Sequence, residues 1–385
     1  MDATCLLVLN AGSSSLKFAL FEGDERRLRG QIGAIGEGGW VDWDGRRTRR
    51  AFRDHHAALD WLLERLEARA AVIDAVGHRV VHGGTEHAAP ARVTPRLLEA
   101  LEALIPLAPL HQGPALAAMR ALAALRPELP QVACFDTAFH RTQPPLAQRY
   151  ALPREWHERG VRAYGFHGLS YEFIVARLPE VAGALPERLI VAHLGAGSSL
   201  CAIREGRSVA ATMGLTPLDG VPMATRPGHL DPGVVPFLLR QGLSLDEVED
   251  LLYHRSGWLG VSGISADMRR LLASRDARAQ EAVALFCYRV VREIGSLAAA
   301  LGGVDALIFT GGVGAHAAPV RARILEGCAW LGFRLDGAAN TRHGPRITHP
   351  DGPAAWVIPT DEEAVIARHT RHLLQGGETH EPQDR

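Results

Sequence analysis

Three features of the sequence predict an α/β protein of two domains with an internal repeat. Apolar strands alternate with segments of helical periodicity along most of the chain. At 385 residues the chain exceeds what a single hydrophobic core comfortably supports. A strand, a Gly-Ser-Ser turn and a second strand occur twice, with the turns at residues 12–14 and 197–199. We therefore expect two α/β domains that share a structural device.

The periodicity and the positions of glycine and proline predict the individual elements. Strands are expected over 4–10, 15–21, 73–81, 131–135, 189–194, 200–203, 306–310 and 356–359, with further short strands between 30 and 50. Helices are expected over 55–70, 94–104, 114–125, 232–241, 244–253, 277–301 and 362–375, and others begin near 170, 265 and 317. The final ten residues are polar and are expected to be disordered.

The composition is that of a globular protein and argues against several partners. Apolar residues make up 47% of the chain and charged residues 22%. The formal net charge of -1 argues against nucleic acid as the main partner. No apolar run reaches the roughly 18 residues of a membrane-spanning helix, and Asp2 does not fit a basic signal peptide. Five scattered cysteines without a CxxC pair suit a reducing, cytoplasmic environment.

The tip of the first predicted hairpin has the groups that a phosphate needs. It carries Asn10, three consecutive serines and Lys17, the only lysine among 42 basic residues. Hydroxyls, exposed backbone N–H groups and a cation together bind phosphate. A compact ammonium on a flexible stem reaches a phosphate oxygen where a rigid guanidinium cannot. The alternative is that a single lysine is an accident of composition.

Polar residues follow two strands of the first half. Arg79 lies at a strand end beside Gly83 and Gly84, which favours an anion clamp. Metal binding by the nearby histidine pair is disfavoured, because no glutamate lies between the two residues. Asp136 follows a buried strand, at the carboxyl end where ligands gather in open α/β sheets. Its alternative role is to cap a helix N-terminus.

The second half contains three further loops that could carry chemistry. His167 lies between two glycines before a helix, which indicates a shaped loop rather than core packing. Arg226 lies in a long loop over 213–231 that is rich in glycine and proline. The glycines over 311–314 come between a strand and a helix, where they would let a nucleotide approach the backbone.

Two nucleotide-binding motifs are excluded, and one acidic segment stays ambiguous. The second Gly-Ser-Ser turn lacks the third glycine and the following helix of a dinucleotide fingerprint. Lys17 has neither the preceding glycine nor the following Ser or Thr of a Walker A loop. The acidic residues over 361–363 begin a predicted helix, where they suit either the helix dipole or Mg²⁺.

Eight short strings, in order over almost the whole chain, resemble the acetokinase (acetate kinase) family. They are LNAGSSSLKF, GHRVVHGG, FDTAFH, YGFHGLS, HLGAGSS, GLTPLDG with TRPGHLDPG, LGVSGIS and IPTDEEAVIAR. The family belongs to the superfamily of acetate and sugar kinases, Hsp70 and actin. The resemblance implies a two-domain, ribonuclease-H-like (actin-like ATPase) duplicated fold with a central nucleotide cleft. It implies an N-terminal domain at 1–140, to which a C-terminal helix over 364–385 returns, and a nucleotide-binding domain at 141–363.

The resemblance also implies an activity and a set of partners. The expected reaction is reversible, Mg-ATP-dependent phosphorylation of acetate to acetyl phosphate by direct in-line transfer, which feeds acetyl-CoA biosynthesis. ATP is the expected co-substrate, and Mg²⁺, or Mn²⁺ in its place, is the expected cofactor. The resemblance implies a cytoplasmic homodimer that acts on small molecules, without a nucleic-acid or membrane partner.

Carried over residue by residue, the resemblance implies four groups of site residues. The catalytic residues are Arg79, Asp136, His167 and Arg226. The substrate pocket comprises Arg79, Val81, Leu110, Phe166 and Pro217. The metal region is held by Asn10 and Glu362, with Asp136 nearby. The nucleotide is bound by Ser13, Ser15, Lys17, His193, Leu194, Gly195, Ala196, Gly197, Asp267, Met268, Arg269, Gly312, Val313, Gly314, Ala315 and His316.

Within these groups the implied roles agree with the chemistry of phosphoryl transfer. Arg79 and Arg226 would clamp carboxylate and phosphoryl oxygens, and His167 would hydrogen-bond the transferring group. Such a loose transition state needs positioning and neutralisation of charge more than covalent help. A carboxylate is already a nucleophile, so Asp136 would orient substrate and metal rather than remove a proton.

The sequence departs from the family pattern at three nucleotide positions. Ala196 stands where the family usually has asparagine, and Ala315 with His316 stands where Glu-Asn is usual. A lost neutral hydrogen bond costs about 1 kcal/mol, roughly fivefold in affinity. We therefore expect weaker nucleotide binding with the chemistry retained.

Two alternative functions stay open at this stage. A propionate kinase, or another short-chain carboxylate kinase, would use the same chemistry with a wider pocket, and Val81 favours acetate modestly. A non-catalytic nucleotide switch of the actin or Hsp70 type would need neither the pocket nor the two arginines. Replacing Arg79 by alanine separates these classes, because only a kinase would lose turnover.

Overall fold

The computed structural model describes residues 4–69 and 71–376. Three parts of the prediction lie outside the described residues. They are Asp2, the end of the first helix at Ala70, and nearly all of the tail that is expected to be disordered. The strands are β1 Cys5–Gly12, β2 Ser15–Glu22, β3 Glu25–Gly33, β4 Trp40–Trp43, β5 Arg46–Arg49, β6 Ala75–Val80, β7 Ala91–Arg92, β8 Gln131–Phe135, β9 Arg188–Leu194, β10 Ser198–Arg204, β11 Arg207–Ala211, β12 Ala306–Thr310 and β13 Ala354–Val357. The helices are α1 His55–Glu67, α2 Pro95–Glu102, α3 Gln112–Leu125, α4 Pro145–Gln148, α5 Arg154–Glu158, α6 Gly168–Ala182, α7 Val234–Arg240, α8 Leu245–His254, α9 Gly257–Ser262, α10 Met268–Ala273, α11 Ala277–Leu301, α12 Gly311–His316, α13 Ala318–Gly327, α14 Gly337–Thr341 and α15 Glu362–Leu374.

The chain divides into two compact units, and the first is built on an eight-stranded sheet. This unit comprises the described residues up to Arg141 together with those from Asp361 onward. The strand order is β5-β4-β3-β2-β1-β6-β8-β7. Strands β1 to β5 pair in antiparallel fashion, whereas β1, β6 and β8 run parallel. The carboxyl ends of these three parallel strands therefore lie at one edge of the sheet.

Helices cover the central strands of the first unit, which explains why β1 is apolar along most of its length. Leu7 and Leu9 pack in one core with apolar residues of α1 and α3. The helix α15 contacts β1, β6 and β8. A strand buried on both faces has a continuous apolar run instead of alternating polar and apolar residues.

The second unit comprises residues 142–360 and is built on a five-stranded sheet. Its order is β11-β10-β9-β12-β13, with β9, β10 and β11 antiparallel and β9, β12 and β13 parallel. The long helix α11 packs one apolar face against this sheet and against Trp258. Both sheets thus contain an antiparallel hairpin that continues into parallel strands. This confirms the predicted α/β class and the repeated strand–turn–strand device.

Several predicted boundaries are wrong, and glycine explains most of them. The prediction contains no helix over residues 257–262, which form α9, and Gly263 closes that helix with φ of +61°. Residues 311–314, expected to be a loop, lie in α12. Glycine costs about 1 kcal/mol inside a helix, and tertiary packing overrides that cost here. The helix expected from 265 begins at Met268, and the last strand lies two residues earlier than expected.

No helix in the part of the chain that the structure describes is long and apolar enough to cross a membrane. All five cysteines are buried, and none of them forms a disulfide bond within the described residues. Burial raises the pKa of the Cys201 thiol to about 12 and that of Cys287 to about 11. These two thiols are therefore protonated and unreactive near neutral pH.

We predict that Gly77→Ala destabilises the first unit. An added Cβ at Gly77 would lie 2.4 Å from Thr370 Oγ1 and 2.5 Å from Ile366 Cγ2, so α15 would have to move away from β6. Overpacking of this kind costs about 1–3 kcal/mol, which urea unfolding would measure. Gly113→Ala is the matched control, since an added Cβ there meets nothing within 4 Å. Equal effects of the two substitutions would contradict the close packing of α15 on β6.

Candidate active site

The hairpin of the first unit presents its polar side chains away from the core. In the β1–β2 pairing Asn10 lies opposite Lys17. Lys17 is exposed while its neighbours Leu16 and Phe18 are buried, as the alternation of a strand requires. The Gly12 carbonyl oxygen lies 2.8 Å from His55 Nε2, which ties the tip to α1. The ammonium group of Lys17 is therefore available to a ligand.

A charged cluster lies at the carboxyl ends of the parallel strands in the same unit. Arg79 Nε and Nη2 donate to the two carboxylate oxygens of Asp136 at 3.2 and 2.5 Å. Arg79 Nε also lies 3.5 Å from Glu362 Oε2. The Asp136 side chain is fully buried, whereas those of Arg79 and Glu362 are each about one-sixth exposed. Asp136 thus holds the guanidinium in a fixed plane.

The neighbouring carboxylates stabilise the positive charge of Arg79. Burial of Arg79 acts to lower its pKa, but the charges of Asp136 and Glu362 outweigh burial and raise the pKa above its usual value. Burial, followed by the charge of Glu362, raises the pKa of the neighbouring Glu363. The first helical turn of α15 therefore places two carboxylates together, and their mutual repulsion would favour a nearby cation.

Two residues of the predicted substrate pocket are brought near each other by a buried glutamine. The Gln112 side chain accepts a hydrogen bond from the His82 backbone N–H at 3.2 Å and donates to the His82 carbonyl at 3.0 Å. Val81 precedes His82 and is buried, and Leu110 lies two residues before Gln112 and is half-buried. The other two predicted pocket residues, Phe166 and Pro217, are buried in the second unit.

Other segments approach the tip of the second hairpin so closely that a side chain larger than glycine would not fit at Gly197. Ser198 Oγ bonds to both the amide and the carbonyl of Gly195 and closes the turn. An added Cβ at Gly197 would lie 2.9 Å from Arg226 Nη2 and 3.4 Å from His167 Nε2. One at Gly195 would lie 3.7 Å from the Gly312 amide nitrogen and 3.9 Å from His193 Nε2. The hairpin tip is therefore surrounded by donors from three other segments.

Arg226 carries a buried charge without an acidic partner. Its Nη1 donates to the Pro217 carbonyl oxygen at 2.8 Å. Burial lowers the pKa of Arg226 to about 10, and the nearby Tyr253 opposes this only in part. Within residues 4–69 and 71–376 no carboxylate forms an ion pair with it. A cation that is desolvated and left without an anion is poised to bind one from solution.

The two histidines of the second unit lie face to face. The His167 and His193 ring centroids are 4.2 Å apart with an interplanar angle of 12°. His167 Nδ1 lies 2.8 Å from Ser199 Oγ, and His193 Nδ1 lies 2.8 Å from Ser170 Oγ. Both rings thus turn Nδ1 toward a serine and leave Nε2 on the side of the hairpin tip.

A cavity of about 670 Å³ opens beside this hairpin within the second unit. Most of its lining is small or apolar. The predicted nucleotide residues that line it are Gly195, Ala196, Asp267, Met268, Arg269, Gly312, Val313 and His316. Further lining residues, which the sequence did not indicate, are Trp258, Ala266, Leu272, Ala317 and Pro319. This volume lies in the range of small-molecule and cofactor sites.

Polar side chains stabilise the segments that line the cavity. Asp267 accepts two hydrogen bonds from the Arg269 guanidinium, which lower the pKa of this carboxyl group. Behind α12, the buried Arg321 donates to the carbonyl oxygens of Gly314 and Ala315 at 2.8 and 3.0 Å. It thereby caps the carboxyl end of the helix that supplies part of the cavity wall.

The structure groups the predicted residues into two sets, one in each unit. Asn10, Lys17, Arg79, Asp136 and Glu362 lie in the first unit. The second unit contains the hairpin tip, the histidine pair, Arg226 and the cavity. The predicted residues His193, Leu194, Gly197, Gly314 and Ala315 are not among the residues that line the cavity. Trp258 could have been found from the string LGVSGIS, which it precedes.

The described residues contain no group of three or more His, Cys, Asp or Glu side chains that could hold a metal ion. The predicted metal residues Asn10 and Glu362 offer one amide oxygen and one carboxylate. Such a donor set suits Mg²⁺, which is usually bound by one or two carboxylates together with waters and substrate phosphates. The residues present therefore fit a magnesium ion carried mainly by its substrate.

Comparison with known proteins gives one consistent result over almost the whole chain. The model of the acetokinase family matches residues 5–368. An acetate kinase from Rhodopseudomonas palustris (strain ATCC BAA-98 / CGA009) is 52% identical over 97% of this chain and 99% of its own length. A propionate kinase structure from Francisella tularensis subsp. tularensis SCHU S4 has a TM-score of 0.91 at 35% identity, covering 95% of this chain and 98% of that one. The acetate kinase structure from Porphyromonas gingivalis has a TM-score of 0.87 at 37% identity, covering 97% and 100%.

We predict that methionine has opposite effects on stability at the two arginines. Arg79→Met would leave the Asp136 carboxylate buried without its cation, a change that costs about 3–5 kcal/mol. Arg226→Met would remove a charge that is buried without an acidic partner, so the free energy of unfolding should be unchanged or higher by about 1–3 kcal/mol. Urea unfolding of both variants at the same neutral pH makes the comparison. Equal destabilisation by both changes would contradict the difference in charge compensation.

Proposed function

The chain belongs to the acetokinase family, and on that premise we propose that it transfers the γ-phosphoryl group of ATP to acetate, reversibly, forming acetyl phosphate and ADP. The observation that carries this proposal is the arrangement around the second hairpin. The uncompensated guanidinium of Arg226 and the Nε2 atom of His167 both lie against Gly197, at the side of a cavity of nucleotide size.

The proposed chemistry needs no proton transfer. A carboxylate oxygen of acetate attacks the γ-phosphorus, and the bond from that phosphorus to the bridging oxygen of ADP breaks. Negative charge on the equatorial oxygens must be held throughout. Arg226 and His167 would bind these oxygens. The burial of Arg226 strengthens its attraction for an anion, because little water screens it.

In the first unit, Arg79 would bind the carboxylate substrate. A guanidinium presents parallel N–H donors to a carboxylate, and Asp136 already fixes its orientation. Asp136 is engaged by Arg79 and fully buried, which supports an orienting role and not that of a base. Lys17 and the serines of the first hairpin would bind phosphate oxygens.

Mg²⁺ is the proposed cofactor, with Mn²⁺ as a possible substitute. Asn10 and Glu362 would hold the ion, and when bound it would neutralise charge on the phosphate oxygens of ATP. The charge of the neighbouring Glu363 supports this assignment, because the carboxylates of Glu362 and Glu363 repel each other and a bound cation would reduce that repulsion. Arg79 compensates only part of that charge at 3.5 Å.

A second candidate is propionate as the preferred substrate, favoured by the similarity to the Francisella propionate kinase structure. The residues predicted for the substrate pocket, Val81, Leu110, Phe166 and Pro217, are apolar and suit an alkyl group. One methylene in such a pocket changes discrimination by only about 1–3 kcal/mol. The valine side chain at position 81 supports acetate as the better substrate.

We further propose a cytoplasmic homodimer whose partners are small molecules. Five buried cysteines that form no disulfide bond within the described residues support a reducing compartment. The near-zero net charge supports the absence of a nucleic-acid partner. Sedimentation or light scattering would test the dimer.

The activity is tested directly with purified protein, Mg-ATP and saturating acetate. We expect acetyl phosphate, trapped as its hydroxamate, to form in equal amount to ADP, and the reverse reaction to make ATP from acetyl phosphate and ADP. Arg79→Ala and Arg226→Ala should each lower kcat by about 10²–10³-fold. Arg204→Ala is the matched control, because this guanidinium lies at the far end of β10 and donates to the Leu301 carbonyl oxygen. The kcat of this variant should change less than about twofold.

The outcomes separate the candidate functions. Absence of acetyl phosphate would overturn the proposal. ATP binding without acetate-dependent turnover, retained in Arg79→Ala, would instead identify a nucleotide switch.

The identity of the carboxylate is tested with acetate, propionate and butyrate. We expect kcat/KM to be highest for acetate. Val81→Ala should enlarge the pocket and raise the ratio of propionate to acetate kcat/KM by roughly tenfold. Val41→Ala is the matched control, because it removes the same two methyl groups from the core of the same unit, and it should leave this ratio unchanged. A wild-type preference for propionate would reject acetate as the preferred substrate.

A further inference from the structure

A chain of hydroxyl groups lies behind the histidine pair of the second unit. Tyr171 OH and Ser199 Oγ are 2.5 Å apart, and Ser199 Oγ is 2.8 Å from His167 Nδ1. The side chains of Tyr171 and Ser199 are completely buried. Neither residue belongs to the predicted catalytic, substrate, metal or nucleotide residues, so neither has a role in the proposed reaction.

Either oxygen of the Tyr171–Ser199 pair could donate, so acidity decides the direction. A phenol is a better donor than an aliphatic hydroxyl, which favours donation from Tyr171 to Ser199 Oγ. Ser199 then uses its own proton to donate to His167 Nδ1, which must accept. A neutral imidazole has one N–H, and once Nδ1 accepts, that N–H lies on Nε2. The Nε2 atom is the one that lies at the hairpin tip, near Gly197.

Building on the proposed function, we propose that Tyr171 and Ser199 are positioning residues that hold neutral His167 in the Nε2–H tautomer. In that tautomer His167 donates a hydrogen bond to an oxygen of the transferring phosphoryl group without first being protonated. Hydrogen bonds in such a chain polarise one another, so each donor strengthens the next. Outer partners of this kind fix histidine tautomers at metal sites in the same way.

The backbone at His167 supports a functional reason for this arrangement. His167 adopts φ of +59°, a left-handed conformation that is unfavourable for residues other than glycine. It is the residue that precedes α6, and its carbonyl oxygen accepts from the Tyr171 amide at 3.1 Å. The same helical turn that holds the strained backbone therefore also supplies the hydroxyl at the start of the chain.

Ser170 plays the corresponding part for the second ring. Its Oγ lies 2.8 Å from His193 Nδ1, and it too is completely buried. Because the two rings stack at 4.2 Å, each also limits the rotation of the other. The consecutive residues Ser170 and Tyr171 thus orient two histidines, the second one through Ser199.

The tautomer is tested first in the unsubstituted protein by ¹⁵N NMR of the histidine side chains. At about pH 8, above the usual histidine pKa of ~6.5, the His167 spectrum should show a protonated Nε2 and an unprotonated Nδ1. The signals are assigned by their loss in His167→Asn. A protonated Nδ1 would overturn the proposal, and this measurement does not depend on any variant of Tyr171 or Ser199 folding.

The effect on catalysis is tested with Tyr171→Phe and Ser199→Ala. We expect kcat to fall roughly five- to tenfold with little change in the KM for ATP, and the His167 signals to shift toward a mixture of tautomers. Tyr164→Phe is the matched control, because it also removes one phenolic hydrogen bond, to the Gly160 carbonyl at 2.8 Å. Its tautomer pattern should match that of the unsubstituted protein. Tyr171→Phe behaving like Tyr164→Phe in both readouts would reject the positioning role.

Failure of this inference differs from failure of the proposed function. If no acetyl phosphate forms but His167 is in the Nε2–H tautomer, the reaction has been assigned wrongly while the hydroxyl chain stands. If acetyl phosphate forms and His167 carries its proton on Nδ1, the kinase assignment stands and the hydroxyl chain is rejected.

Discussion

A guanidinium buried without a carboxylate is the constraint on which the second unit depends. Arg226 donates to the Pro217 carbonyl oxygen and forms no ion pair with a carboxylate of the described residues, and burial lowers its pKa to about 10. Such a charge costs folding free energy unless an anion arrives. The loop that carries it is therefore braced by backbone bonds to α9, such as that from the Trp258 amide to the Met223 carbonyl. Binding energy for an anion is thus stored in the fold before any ligand is present.

In the first unit the charge of the arginine is compensated. Arg79 forms ion pairs with Asp136 and Glu362, so the fold fixes the orientation of this guanidinium and leaves no uncompensated charge on it. This difference matches the two tasks proposed for the arginines. A carboxylate substrate is small and needs to be aligned, whereas a phosphoryl group in transfer carries charge that must be neutralised.

The three positions predicted to depart from the family pattern lie beside the cavity of the second unit. Ala196 and His316 line it, while Ala315 is buried behind it, where its carbonyl is held by Arg321. The cap that Arg321 provides acts on backbone oxygens, so it survives a change of side chain at 315. The helix α12 can therefore keep its place although Ala315 offers no polar side chain. This supports the expectation that the substitutions affect nucleotide affinity more than chemistry.

The sequence by itself determined the α/β class and both hairpins, because these depend on local periodicity. Its short motifs predicted Arg79, Asp136, His167 and Arg226 as site residues. It could not determine that residues 311–314 form a helix, since the packing of that segment against β9 decides this. It did not indicate Trp258 in the cavity wall, or Tyr171 and Ser199 behind His167. Contacts between residues far apart in the chain arise only when the strands and helices pack, and only tertiary structure shows which arginine has an anionic partner and which has none.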